Sequence, residues 1–190
     1  MAVVRVIGCG NPDAGDDAAG ILAVARARDA LEAIAGVEVV PQAFPLAIVH
    51  LLEGAGAVVV VDAIRSPDGR RPPGALVRAE AGPQGLPAEI RSSLSSHGLG
   101  VAEAVGLAAA LGPVPRVVVL GVEAGPGVGA GAPLSAGVEA GLPELVRLLL
   151  AEVESLAGEG SRPGPRPPEA ERSPGEGPTG PSRVGSPERP

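Results

Sequence analysis

The sequence predicts an α/β fold: a single three-layer domain with a twisted, mostly parallel central sheet and helices on both faces. Short continuous apolar runs, typical of strands buried on both faces, alternate along the chain with segments of helical periodicity. Hydrophobic residues make up 45% of the chain, which is enough for a core, and Phe44 is the only aromatic residue, so that core must be aliphatic. Strand–helix alternation of this kind favours parallel strands joined by helical crossovers.

The individual elements follow from the pattern in chain order. Strands are predicted over Val3–Gly8, Val37–Pro41, Ala57–Asp62, Gly74–Glu80 (as an edge strand) and Arg116–Val122. Helices are predicted from an Asp16 N-cap to about Ala35, over Pro45–Glu53, from His97 to Leu111 with Ser96 as the cap, and over Leu142–Leu156. The first of these helices should bury Ala23, Val24, Ala27, Ala30, Leu31 and Ile34, and the last should bury Leu142, Leu145, Val146, Leu149, Val153 and Leu156.

The composition changes near Gly158. Residues 159–190 are rich in Pro, Gly, Ser, Glu and Arg and nearly lack large apolar side chains, so we expect a folded domain over residues 1–158 and a disordered tail over 159–190. The formal net charge of −7 and the lack of aromatic platforms argue against binding to nucleic acid. A single cysteine excludes an intrachain disulfide. Neither a signal peptide nor a membrane-spanning run is evident, so we expect a soluble cytoplasmic protein.

Polar residues stand where predicted strands and loops meet the next element. Asp16-Asp17 follow the turn Gly8–Pro12, Asp62 ends a wholly apolar strand, and His97 opens a predicted helix. Open α/β sheets bind ligands at the carboxyl ends of their strands. A carboxylate such as that of Asp62 must find hydrogen bonds, a cation or solvent there, and a histidine at a helix start tends to be neutral, the form that binds metals. Two carboxylates and one imidazole would suit a borderline divalent metal with positions left open.

Each of these residues also has a purely structural explanation. Asp16 could cap the first helix, and this is the favoured explanation for it. Because one cap residue is enough, capping alone does not explain Asp17. Asp62 could serve the turn that follows its strand, and His97 could be exposed or satisfied in the core. His50, in the middle of a predicted helix without an acidic neighbour at a suitable spacing, is assigned to structure.

Other site chemistries fit less well. A dinucleotide fingerprint would need a third glycine where the chain has Asp13, and an acid after the second strand, which is missing. Ser96 and His97 are adjacent, so their side chains diverge, and there is no Gly-x-Ser-x-Gly elbow. Cys9 lies between two glycines and is expected to be a small buried thiol without a local base. No His-Glu-x-x-His motif of zinc peptidases occurs.

Several short motifs occur in a fixed order. They are Gly8-Cys9-Gly10-Asn11, Asp16-Asp17, Val61-Asp62-Ala63, Ser95-Ser96-His97-Gly98-Leu99-Gly100 and Gly121-Val122-Glu123. In order and spacing, over roughly Val4 to Leu156, the chain resembles the hydrogenase maturation proteases, the endopeptidases that process the large subunit of nickel–iron hydrogenases. Only the tail lies outside the resemblance.

The resemblance implies a function and a site. Members of this family have a single α/β domain and remove a short C-terminal extension from the large-subunit precursor after nickel insertion. The family's metal-binding residues fall on Asp17, Asp62 and His97, and Asp17 or Asp62 is a candidate general base. The resemblance implies that nickel is supplied by the substrate as the recognition signal, with zinc or cadmium able to replace it in vitro. The expected partner is therefore the precursor, not nucleic acid or a membrane, and we expect a monomer.

The chain departs from the family pattern at two positions. Ala18 replaces a glycine at the helix entrance and would be strained if that glycine were left-handed. Ala124 replaces a proline, which weakens a role for Glu123.

Two other functions remain as alternatives. A peptidyl-tRNA hydrolase shares the Gly10-Asn11-Pro12 turn, but no histidine lies near it here, and a non-catalytic metal-dependent chaperone would have the same ligand set.

Overall fold

A computed structural model shows the arrangement of the chain and describes residues 3–66, 69–81, 85–87, 100–126 and 130–160. The strands are β1 (Val4–Cys9), β2 (Val37–Ala43), β3 (Ala57–Ile64), β4 (Leu76–Glu80) and β5 (Arg116–Glu123). The helices are α1 (Ala19–Glu32), which follows the 3₁₀ helix Gly15–Ala18, α2 (Pro45–Leu51), α3 (Val101–Leu111) and α4 (Ala136–Gly160). No helix in the described ranges is long and apolar enough to cross a membrane.

The strands form one sheet in the order β2-β1-β3-β5-β4. All neighbouring strands are parallel except β4, which is antiparallel to β5 at one edge. All residues of β3 are buried, as its continuous apolar run predicts for a central strand covered on both faces. The mostly parallel α/β fold is therefore confirmed. Because β1, β2, β3 and β5 run in the same direction, their last residues meet at one side of the sheet, which we call the carboxyl edge.

The core lies on both faces of the sheet because side chains alternate along each strand. On one face Val59 and Val61 pack with α1 and α4, and on the other Val58 and Val60 pack with α2 and α3. The predicted apolar faces of the first and last helices are buried at Ala23, Val24, Ala27, Leu31, Leu142, Leu145, Leu149, Val153 and Leu156. Ile34 and Val146 are partly buried, whereas Ala30, near the end of α1, is exposed, contrary to the prediction.

Two element boundaries differ for identifiable reasons. α4 begins at Ala136, six residues before the predicted start, because the Ser135 hydroxyl accepts the N–H of Val138 at 3.4 Å and the Ser135 carbonyl accepts that of Glu139. β3 continues past Asp62 to Ile64, so this aspartate lies inside the strand. The predicted tail lies almost wholly outside the described residues, and its disorder stays a prediction.

Gly20 lets α1 approach the carboxyl edge. A Cβ atom at this position would lie 2.3 Å from the carbonyl oxygen of Val61 and 2.6 Å from that of Cys9. The helix therefore packs directly against the ends of β1 and β3, and its entrance lies beside them. The strain considered for Ala18 does not occur, because its φ of −77° and ψ of −9° are ordinary right-handed values.

Candidate functional site

Asp62 is a buried carboxylate near the carboxyl edge. It pairs in register with Gly121 of β5, and β1 lies on the other side of β3, so only 5% of the residue is exposed. Burial raises the pKa of Asp62 to about 8, the negative charge of Asp17 adds to this, and a hydrogen bond from the N–H of Ala63 opposes it. Asp62 is therefore mostly protonated near neutral pH when no cation is bound.

Asp17 lies beside Asp62, in the 3₁₀ helix that precedes α1. Its side chain is half-buried, and its Oδ2 accepts the N–H of Asn11 at 3.0 Å. Burial raises the pKa of Asp17, and the hydrogen bond from Asn11 partly offsets that rise. Gly10 makes this contact possible, because its φ is +125° and a Cβ there would lie 1.8 Å from the Asp17 carbonyl oxygen. The fold thus brings together two of the three predicted ligands.

Cys9 is the third titratable group at this position. It is fully buried and free, as the sequence predicts. Burial raises the pKa of its thiol, and the negative charges of Asp62 and Asp17 raise it further. Since a thiol must ionise to become a good nucleophile, Cys9 is held in its unreactive form.

His97 and Ser96 lie outside the described residues, so the third predicted ligand stays a prediction. In the ranges that the structure does describe, no three His, Cys, Asp or Glu side chains form a group that could hold a metal ion. A metal bound by Asp17 and Asp62 would therefore need a further ligand, either from the rest of this chain or from a partner.

The predicted helix start at His97 is wrong. α3 begins at Val101, because Gly100 is extended, with φ −92° and ψ −180°, and donates its N–H to the Glu103 carboxylate at 3.0 Å. The far end of α3 lies at the opposite, amino edge, where Leu111 lines a cavity with residues that precede β3 and β5. Since α3 is about 16 Å long, Gly100 lies towards the carboxyl edge.

Asp16 does not cap α1, contrary to the favoured prediction. The carboxylate is buried, with 3% of the residue exposed, and no side-chain hydrogen bond caps the 3₁₀ helix or α1. It accepts the N–H of Gly125 at 2.7 Å, the N–H of Ser135 at 2.6 Å and the Ser135 hydroxyl at 2.7 Å. Asp16 therefore connects the entrance of α1 to the segment between β5 and α4.

Glu123 has a structural role that was not predicted from the sequence. Only 2% of the residue is exposed, and its carboxylate accepts the N–H of Ser66 at 2.7 Å and the Ser66 hydroxyl at 2.6 Å. Arg71 donates to the same hydroxyl at 3.0 Å. Glu123 thus holds the loop that follows β3. The available signal was the same as for Asp62, namely a carboxylate at the end of an apolar strand.

Comparison with known families identifies the fold and the class of protein. The model of the HycI family, hydrogenase maturation protease, matches residues 43–152, more than half of the chain. The chain belongs to the hydrogenase maturation protease family. This maturation protease is accordingly a peptidase, and the resemblance stated from the motifs is confirmed. No curated protein matches the sequence.

Solved structures of maturation proteases share the fold. Hydrogenase maturating endopeptidase HybD from E. coli is 22% identical with a TM-score of 0.63, over 80% of this chain and 93% of that one. Maturation protease HycI from Thermococcus kodakarensis KOD1 is 23% identical with a TM-score of 0.57, over the same shares of the two chains. Hydrogenase 2 maturation peptidase from a Thaumarchaeota archaeon is 26% identical with a TM-score of 0.53, over 80% of this chain and 97% of that one.

Proposed function

We propose that this maturation protease removes the C-terminal extension of a nickel–iron hydrogenase large-subunit precursor after nickel insertion. Precursor-bound nickel is recognised by Asp17, Asp62 and His97. Family membership supports the general activity. The observation that carries the site is the pair of carboxylates at the carboxyl edge, where the charge of Asp17 acts on the buried Asp62.

The electrostatics of the pair suit a cation that arrives with the substrate. Two carboxylates close enough to repel each other lose that repulsion when a divalent ion lies between them, and Asp62 then gives up its proton. Two oxygens and an imidazole nitrogen are adequate ligands for nickel and leave coordination positions for groups of the precursor. In the free enzyme Asp62 therefore stays protonated until the nickel-loaded precursor binds.

The same pair can supply the proton transfers of peptide hydrolysis. A carboxyl group with a pKa near the working pH is an effective general acid or base, which describes Asp62 better than an ordinary aspartate. Asp17 is only half-buried and can reach water directly. Because the Cys9 thiol is held protonated, water fits the role of nucleophile better than this thiol, with Asp17 or Asp62 as the base.

A cleavage assay tests the proposal. Purified protein is mixed with nickel-loaded and with nickel-free precursor, and mass spectrometry measures whether a C-terminal segment is released. We expect cleavage of the loaded form only. Asp62→Asn should abolish it, whereas Asp13→Asn, at an exposed aspartate in the connection between β1 and α1, should cleave as the wild type does.

Two results would contradict the proposal. Equal cleavage of loaded and nickel-free precursor would show that nickel is not the recognition signal. Binding of the loaded precursor without cleavage would favour the non-catalytic chaperone.

A further inference from the structure

The geometry points to Asp16 as a positioning residue, which fixes the orientation of the Asp17 carboxylate towards Asp62 through its hydrogen bonds to Gly125 and Ser135. Any effect of Asp16 on precursor cleavage rests on the proposed function. The orientation of Asp17 by Asp16 does not, and it can be tested without a substrate.

The Asp16 carboxylate is bound on both of its oxygens. Oδ1 accepts the Ser135 N–H, and Oδ2 accepts both the Gly125 N–H and the Ser135 hydroxyl. These donors lie more than a hundred residues away in sequence, yet the carboxylate is buried among them. Hydrogen bonds to a buried charged group are among the stronger ones in proteins, so they resist rotation of the backbone that carries Asp16.

The backbone around Asp16 transmits this constraint to Asp17. In a 3₁₀ helix successive side chains are about 120° apart, so holding Asp16 against the β5–α4 segment turns Asp17 away from it. Asp17 then faces the N–H of Asn11 and the carboxylate of Asp62. A further contact supports the same connection, because the carbonyl of Asp13 accepts the N–H of Gly131 at 2.6 Å.

The fit around Asp16 is tight. A Cβ atom at Gly125 would lie 3.2 Å from Asp16 Oδ2 and equally close to two atoms of Ser135. Asp16→Asn would keep the shape of the side chain, but the new NH₂ group would replace one of the two accepting oxygens. It would then face N–H or O–H donors without being able to accept from them. Asp16→Asn should therefore release the β1–α1 connection without opening a cavity.

Amide hydrogen exchange gives a readout that depends on neither nickel nor activity. The N–H of Asn11 donates to Asp17 Oδ2, so its protection reports where that carboxylate lies. In Asp16→Asn we expect the Asn11 amide to exchange at least about tenfold faster than in the wild type. Titration with Ni²⁺ alone should show an affinity about 10 to 100 times weaker, the usual loss when a group that orients a ligand is removed.

Three further variants separate positioning from general destabilisation. Ser135→Ala removes the hydroxyl hydrogen bond to Asp16, together with the one that this hydroxyl accepts from the Val138 N–H, and should cause a smaller change than Asp16→Asn in the same two measurements. Ser135→Thr keeps the hydroxyl and should behave as the wild type does in both. Val153→Ala, in the core part of α4, should lower stability but leave Asn11 exchange and Ni²⁺ affinity as they are. If Asp16→Asn does not fold, the two Ser135 variants decide the question.

Unchanged Asn11 exchange and Ni²⁺ affinity in a folded Asp16→Asn variant would overturn the inference. So would equal effects in Val153→Ala, since these would show a general loss of stability. If the wild type fails to cleave the precursor while Asp16→Asn still alters both measurements, the proposed function fails and the positioning role stands.

Discussion

Replacing Asp62 by asparagine should make the protein more stable at neutral pH. The pKa of Asp62 is about 8 in the folded chain, against an ordinary value of 3.8. Between these values the folded state holds one more proton than the unfolded chain does, so the free energy of unfolding falls as the pH rises. The stabilisation is complete below about pH 4 and is lost as the pH approaches 8. Asparagine does not titrate and keeps an oxygen for the Ala63 N–H.

The size of this effect follows from the pKa difference. Each unit of pH between the two values changes the folding equilibrium constant by up to about tenfold. From pH 5 to pH 7 the wild type should therefore lose about 3 kcal/mol of stability through Asp62 alone. That is a large share of the ~5–15 kcal/mol that stabilises a typical domain. Asp62→Asn lacks this pH-dependent contribution. Its free energy of unfolding should therefore exceed that of the wild type by an amount that grows from pH 5 to pH 7.

Urea unfolding at pH 5, 6 and 7, followed by far-ultraviolet circular dichroism, measures the effect. The matched control is Asp13→Asn, an exposed aspartate on the adjacent loop, which should follow the wild type at every pH. If the wild type and Asp62→Asn depend on pH in the same way, Asp62 does not hold a proton in the folded state, and the electrostatic description of the site is wrong.

Three other predictions concern the site and its support. Ni²⁺ affinity should rise up to about tenfold per pH unit from pH 5 to pH 7, because Asp62 releases a proton when the ion binds. Calorimetry in buffers of different ionisation enthalpy should count that proton. An affinity that does not change with pH would contradict this prediction. His97→Ala should abolish precursor processing with almost no change in melting temperature; normal processing would show that His97 is not a ligand. Gly20→Ala should destabilise the protein by about 1–3 kcal/mol in urea unfolding, since its Cβ would overlap the Val61 carbonyl. The matched Gly106→Ala in α3, where nothing lies within 4 Å, should stabilise by up to about 1 kcal/mol, and equal effects would refute the packing argument.

The sequence predicted the elements well where the pattern is local. The apolar run Ala57–Asp62 and the periodic face of α4 each report burial within a few residues, and both are found in the fold. The start of α4 was missed because its capping residue, Ser135, lies in a segment without helical periodicity. The start of α3 was placed too early because Gly100, and not Ser96, is the residue at which this helix is capped.

The placement of the candidate residues could be predicted only in part from the sequence. Asp62 could be identified from the sequence because burying a carboxylate in a wholly apolar strand costs free energy unless a hydrogen bond or a cation compensates for it. The sequence assigned Asp16 to a helix cap and the resemblance assigned Asp17 to the metal site, but the cap does not form, because the partners of Asp16 lie in a distant segment. Glu123 received no role because its partner, Ser66, follows a different strand.

By itself, the order of apolar and polar residues determined the layered α/β architecture, the aliphatic core and the presence of acids close to the carboxyl ends of strands, because these depend on neighbours within one turn or one strand. The tertiary structure alone decided what each acid does. Asp16 meets Gly125 and Ser135 across 109 and 119 residues of sequence, and Asp62 owes its raised pKa to burial and to Asp17. Hydrogen bonds and desolvation between distant segments exist only once the chain has packed, so no local pattern encodes them.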